Sequence, residues 1–155
     1  MTQDEIKLQP HKMVNGIAIL LTENEIAELS YVSEEQAAIM LNNLKDSKIS
    51  VIKTSRDIFL NSNITVSTGT YKGTQTAKNL FCNAVNGRTV AQYPLNWRLS
   101  DDVTWVSLSK DEAYELYDAF EAQEVSGYTQ ETNFIIQVNN ATTLEEVNSI
   151  VIEFK

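Results

Sequence analysis

The chain has 155 residues, with 12 Lys and Arg against 21 Asp and Glu, for a formal charge of −9. One Cys, Cys82, excludes an internal disulfide framework, and one His, His11, excludes nearly every site built on two imidazoles. A chain of this length normally makes one domain and buries roughly 70% of the surface its unfolded form exposes, so neither metal nor disulfide is needed to hold it.

The first segment to carry a signal is Met13-Val14-Asn15-Gly16-Ile17-Ala18-Ile19-Leu20-Leu21, where Asn-Gly between apolar flanks predicts a β-hairpin. Thr22 with Glu25 makes a capping-box pattern ahead of Ile26 and Leu29, which predicts a short helix. A longer helix is predicted from Ser33, with Gln36 as capping partner, to near Leu60 or Asn61. Its stripe of Ala37, Leu41, Leu44, Lys48, Val51, Ser55 and Ile58 recurs at spacings of three and four, and Ile52 and Phe59 widen it. Lys48 and Ser55 interrupt that stripe, which suits pairing with one partner helix better than full burial.

Ile64 to Thr74 is dense in β-branched residues and Gly and predicts a second ribbon. A helix fits Thr76 to Asn86 with Gly87 as its C-cap, and Pro94 stops it from simply continuing. Trp97, Leu99, Val103, Trp105, Val106 and Leu108 flank Ser100-Asp101-Asp102, a hairpin with its turn at the aspartates. Ser109 and Glu112 form the clearest capping box in the chain. Ala113, Leu116, Tyr117, Phe120, Gln123 and Gly127 continue the helical spacing, and Phe134, Ile135, Val138 and Ala141 resume it. Gly127 costs up to about 1 kcal/mol relative to Ala, so a break or bend is expected there. Thr143 and Glu146 cap a terminal helix. The fold class is α+β, mostly helical, with two long antiparallel helices and one or two small β-hairpins. Residues 1–32 form an N-terminal hairpin and short helix suited to attachment, and residues 33–155 form the helical domain.

Charge is unevenly spread. Lys45 to Arg98 holds eight basic and two acidic residues, +6, whereas Asp101 to Ile150 holds eleven acidic and one basic, −10. The two parts attract one another, within a chain or between subunits, and the acidic part disfavours nucleic acid. No stretch reaches the about 18 apolar residues of a transmembrane helix, and Met1 to Pro10 is polar and acidic, unlike a secretion signal. The expectation is a cytoplasmic or particle-associated soluble protein with no membrane insertion.

Catalytic constellations are weak. His11 lies in a polar stretch, and Cys82 falls on the apolar face of its helix, where a thiol behaves as a small hydrophobe. Asp101-Asp102 suits a turn, and Glu34-Glu35 and Glu145-Glu146 suit first turns of helices. Gly69, Gly73 and Gly87 make no phosphate loop. Tyr93, Trp97 and Trp105 are read as anchors of a ribbon on the helices rather than a sugar or base platform. No catalytic residue, cofactor or metal site is expected.

One resemblance has residues behind it. The opening Ile6-Lys7-Leu8-Gln9-Pro10-His11-Lys12-Met13-Val14-Asn15-Gly16, with Leu21-Thr22-Glu23-Asn24-Glu25-Ile26-Ala27, resembles the start of small tailed-bacteriophage proteins encoded near tail-fibre genes. Residues 33 to 151 are similar to an uncharacterised C-terminal domain family found in phage tail and tail-fibre-related proteins. The carriers are the long helix, the Ile64 to Gln75 ribbon, the Ala77 to Asn86 helix, Asn96-Trp97-Arg98, the Leu108-Ser109-Lys110-Asp111-Glu112 cap and the Ala141-Thr142-Thr143-Leu144-Glu145-Glu146-Val147 start.

The resemblance implies a viral tail context without supplying catalytic residues. The expected function is a non-enzymatic tail protein, in the virion tail or in the host cytoplasm during assembly, that binds other tail or tail-fibre proteins and forms a homo-oligomer. A tail-fibre assembly chaperone is one alternative. A host-surface ligand-binding module on Tyr71, Tyr93 and Trp97 is another, and a carboxylate hydrolase centred on Asp101 or Asp102 is the enzymatic one. The candidate packing or interface residues are Leu41, Leu44, Val51 and Ile58 against Leu116 and Phe120, with Trp97 and Trp105 closing one end.

Overall fold

The structure, a computed structural model, describes residues 11–15 and 17–155, with the backbone alone for 28–33. The Met1 to Pro10 stretch, Gly16 of the expected Asn-Gly turn and the Ser33 side chain lie outside the described residues. The chain divides into two compact units, Met1–Leu44 and Lys45–Lys155.

In the first unit, strands β1 (His11–Val14) and β2 (Ile17–Leu20) pair antiparallel with Val14 opposite Ile17. Asn15 takes a φ of 49°, the left-handed conformation that a two-residue hairpin turn requires and that Asn tolerates. Helix α1 (Glu23–Leu60) begins in this unit with a reciprocal cap. The Glu25 N–H donates to Thr22 Oγ1 at 3.3 Å, and the Thr22 N–H donates to Glu25 Oε2 at 2.9 Å. The Lys12 ammonium donates to the same carboxylate, and with the Thr22 bonds it brings the Glu25 carboxyl down to about 2.

The short helix and the separate helix expected from Ser33 are one element of 38 residues. Its sequence contains neither Gly nor Pro, and a Ser-x-x-Gln pattern inside a run of good helix formers does not by itself end the preceding turn.

The second unit holds the last turns of α1 and every later element. β3 (Ile64–Val66) and β4 (Gly69–Tyr71) form one antiparallel ribbon, and β5 (Leu95–Arg98) and β6 (Trp105–Leu108) form another. Between them lie α2 (Gln75–Val85), capped by Thr74, a 3₁₀ turn (Val90–Gln92) and a cis Tyr93–Pro94 bond. α3 (Lys110–Asn140) starts at the Ser109–Glu112 capping box, and α4 (Leu144–Ser149) at the Thr143–Glu146 box.

Alternation sorts the second ribbon. Leu95, Trp97, Val106 and Leu108 share its inner face, and Asn96, Arg98, Trp105 and Ser107 its outer face. The inner face, β3–β4 and α2 close over the N-terminal half of α3, with Tyr71, Phe81, Val85, Leu95, Leu108, Ala113, Leu116 and Phe120 as the core. Phe81 meets Trp97 and Phe120 edge-on, with centroids 5.1 and 5.7 Å apart.

The C-terminal half of α3 runs antiparallel to the end of α1. Lys45 Nζ donates to the Asn139 carbonyl at 2.9 Å, Arg56 to Glu131 at 2.6 Å, and Gln123 Nε2 to the Phe59 carbonyl at 3.0 Å. Phe154 packs against both Phe59 and Phe134, and Lys155 exchanges two backbone hydrogen bonds with the Gln130 amide. No break occurs at Gly127, which is buried. A Cβ there would lie 2.6 Å from Leu60 Cδ2 and 3.3 Å from Phe59 Cδ1, so the missing side chain is what lets the two helices cross.

Gly73 is tighter still, because a Cβ there would sit 1.7 Å from the Ser62 carbonyl oxygen. Gly87 has open space around the Cβ position but a φ of 81°. Gly73→Ala is therefore expected to cost about 3 kcal/mol or more and to lower Tm by at least about 6 °C. Gly87→Ala should cost only about 1–2 kcal/mol, for its backbone alone. Thermal melts of the two variants check this, and equal losses would show that the clash at Gly73 is relieved.

Candidate functional site

The residues singled out in the sequence separate into three places. Leu116 and Phe120 are buried in the core described above. Leu41 and Leu44 are half-buried, whereas Val51 is exposed and Ile58 is 69% exposed. Within the second unit the packed side of α1 carries Ile52, Phe59 and Leu60, so the intramolecular seam is turned away from Val51 and Ile58. A helix advances about 100° per residue, and with apolar residues at both 51 and 52, and at both 58 and 59, spacing alone selects the wrong neighbour. The partner also differs from the expected one: these turns of α1 meet α3 at Gln123, Gly127 and Glu131, not at Leu116 and Phe120.

Trp97 and Trp105 close no helical seam. They line an open groove of about 370 Å³ between α2 and the β5–β6 ribbon. Trp97 is half-buried on Phe81, while the Trp105 indole is 64% exposed at the rim. Leu80 supplies an exposed apolar wall from α2. The polar edge is a charge triad: the Lys72 ammonium and Arg98, with its Nη2 at 3.3 Å, both meet the Asp102 carboxylate. The Arg98 guanidinium lies 5.9 Å from the Trp105 ring centre.

The platform expected from Tyr71, Tyr93 and Trp97 is not present as such. Tyr71 is buried, its hydroxyl is bonded to Thr68 at 2.8 Å, and Tyr93 is only half-exposed. Lys72, Leu80 and Asn96 also line the groove, but the sequence placed Leu80 on a helix face and Asn96 in the Trp97 segment without joining them, and gave Lys72 no distinguishing signal. The strand alternation that puts Arg98 opposite Trp105 could have pointed to the ribbon's outer face, Asn96 included.

The groups considered for catalysis sit as follows. Asp101 accepts from the Thr104 hydroxyl at 2.6 Å and from the Thr104 and Val103 N–H groups, which together bring its carboxyl down to about 2. Asp102 is held low chiefly by Lys72. Neither converges on another acidic side chain in the groove. Cys82 is half-buried, and desolvation pushes its thiol up, away from the reactive thiolate. His11 lies in β1. Among the described residues no group of three His, Cys, Asp or Glu side chains could hold a metal ion, and no helix is long and apolar enough to cross a membrane.

The opposite charges of the two halves meet within the second unit. Arg56 pairs with Glu131, Lys78 with Glu124 at 3.9 Å, and both Lys72 and Arg98 with Asp102. Lys78 is the one that sequence reasoning missed. It is 2% exposed, and its Nζ donates to the carbonyl of Leu60 at 2.9 Å. The last carbonyls of a helix lack intrahelical partners and carry the negative end of its dipole, so a cation from α2 both satisfies and neutralises the end of α1.

Comparison with protein-family models, with curated proteins and with solved structures finds no match.

Burial holds the Lys78 ammonium below the ordinary lysine range. With the folded pKa below the unfolded one, the unfolded chain binds more protons between the two values, so this group's contribution to stability rises with pH across that window. The stability of the wild type relative to Lys78→Met should therefore increase on raising the pH from neutral toward about 10.4, the unfolded lysine value. Urea titrations of both proteins measure this, and a difference that stays flat would refute the assignment.

Proposed function

We propose that this chain is a non-enzymatic bacteriophage tail protein that binds other tail or tail-fibre subunits as a structural component. The tail context rests on the sequence resemblance. The binding role rests on one observation in the first unit, where Ala18 is the buried hydrophobic residue among the described ones. Met13, Val14, Ile17, Ile19, Leu20, Ile26, Ile39 and Met40 are all exposed there.

A two-stranded hairpin is marginal in water by itself, and an apolar surface of this density marks a binding face. Covering it is favourable at about 25 cal/mol per Å² of apolar area. The carboxylates at the second ribbon's turn support a structural rather than hydrolytic reading, because backbone and cations already occupy them. The particle-bound location and the homo-oligomer belong to the same proposal.

Native mass spectrometry of the full chain, alone and mixed with the products of the genes beside its own, tests the reading. A defined homo-oligomer or mixed complex is expected, and Ile39→Glu with Met40→Glu should weaken it about tenfold or more without lowering the protomer's Tm. Both side chains are exposed, so charge there leaves the protomer intact. A clean monomer that ignores those partners would overturn the proposal. Presence of the chain in purified particles supports the structural role, and its confinement to assembly intermediates supports the chaperone alternative.

A further inference from the structure

We infer that the groove between α2 and the β5–β6 ribbon binds a neutral saccharide, with the Trp105 indole as stacking platform and Lys72, Asp102 and Arg98 as its hydroxyl-binding edge. The groove belongs wholly to the second unit, and its volume of about 370 Å³ falls within the range of small-ligand sites, about 300–1,000 Å³.

Two properties select the ligand class. Trp105, on a strand, is 64% exposed, with the Arg98 guanidinium 5.9 Å from its ring centre, and such a ring presents a flat apolar surface to an apolar patch of a ligand. Beside it, the triad offers both donors and acceptors: ammonium and guanidinium N–H groups, and the oxygens of Asp102. A hydroxyl group donates and accepts at once, so a polyol can bridge such a triad without breaking it.

A purely apolar ligand would strip water from three charges without replacing its hydrogen bonds, at a cost that grows with burial. An anionic ligand would have to compete with Asp102 for both cations. A sugar ring satisfies both sides, with C–H groups on the indole and hydroxyls on the triad. Asp102 sits in the turn with a φ of 62°, and its carboxylate is held between Lys72 and Arg98.

The chain has two tryptophans, so a ¹⁵N-labelled sample gives two indole N–H signals, assigned by Trp105→Ala. Glucose, galactose and N-acetylglucosamine serve as neutral probes and glucuronate as the acidic one. A saturable shift of the Trp105 signal with at least one neutral sugar is expected. Trp105→Ala should weaken that sugar about tenfold, read on the Trp97 signal, whose position in the free variant reports that the core is intact.

Asp102→Asn keeps the left-handed turn, which Asn tolerates. It should weaken the neutral sugar and strengthen glucuronate, because it frees the two cations. No saturable shift with any neutral probe, unchanged affinity in Trp105→Ala, or tighter wild-type binding of glucuronate than of the best neutral sugar would each overturn the inference. None of these outcomes bears on the subunit-binding role proposed for residues 11–44.

Discussion

The end of α1 is the point on which the second unit depends. Residues 59–62 are gripped by three residues of two helices: Lys78 donates to the Leu60 carbonyl, the Gln75 N–H donates to Asn61 Oδ1 at 3.2 Å, and Gln123 reaches the carbonyls of Phe59 and Ser62. Gly73 and Gly127 let the backbone and α3 approach the same four residues. A helix terminus buried without partners would leave several carbonyls unsatisfied, at about 1–3 kcal/mol each. Here other elements supply those partners, so α1 stops where α2 and α3 receive it.

That arrangement explains why the polar groups in this region are not interchangeable with surface ones. The Arg56–Glu131 pair is largely screened from water, and removing one member of such a pair leaves a charge without compensation. The Lys72–Asp102 pair is about half-exposed on both sides and is worth much less to the fold. The first group positions helices, while the second is free to meet solvent or a ligand at the groove.

Much of this was legible in the sequence wherever the signal was local. The turn at Asn15, the Asp101–Asp102 turn and the capping boxes at Thr22, Ser109 and Thr143 are each set by residues within four positions of one another. What escaped was set by distant partners. Gly127 reads as a weak point in a helix until Leu60 is placed against it, and Lys78 reads as a surface lysine until the end of α1 lies beside it. Val51 and Ile58 fit a heptad as well as Ile52 and Phe59 do, and only the position of α3 decides between them. The groove draws on α2, the second ribbon and the residue just beyond β4, so no short window of sequence contains it.

The Phe154 clasp has a consequence for biosynthesis. Its ring touches Phe59 and Phe134, residues that leave the ribosome 95 and 20 positions earlier in the chain. Translation proceeds at about 5–20 residues per second, so the crossing of α1 and α3 stays open for several seconds after Phe59 has emerged. The apolar residues of the hairpin are out before any of this and wait uncovered throughout. A nascent chain built in this order is exposed to premature contact between neighbours on the same polysome, and that contact would begin at the N-terminal surface.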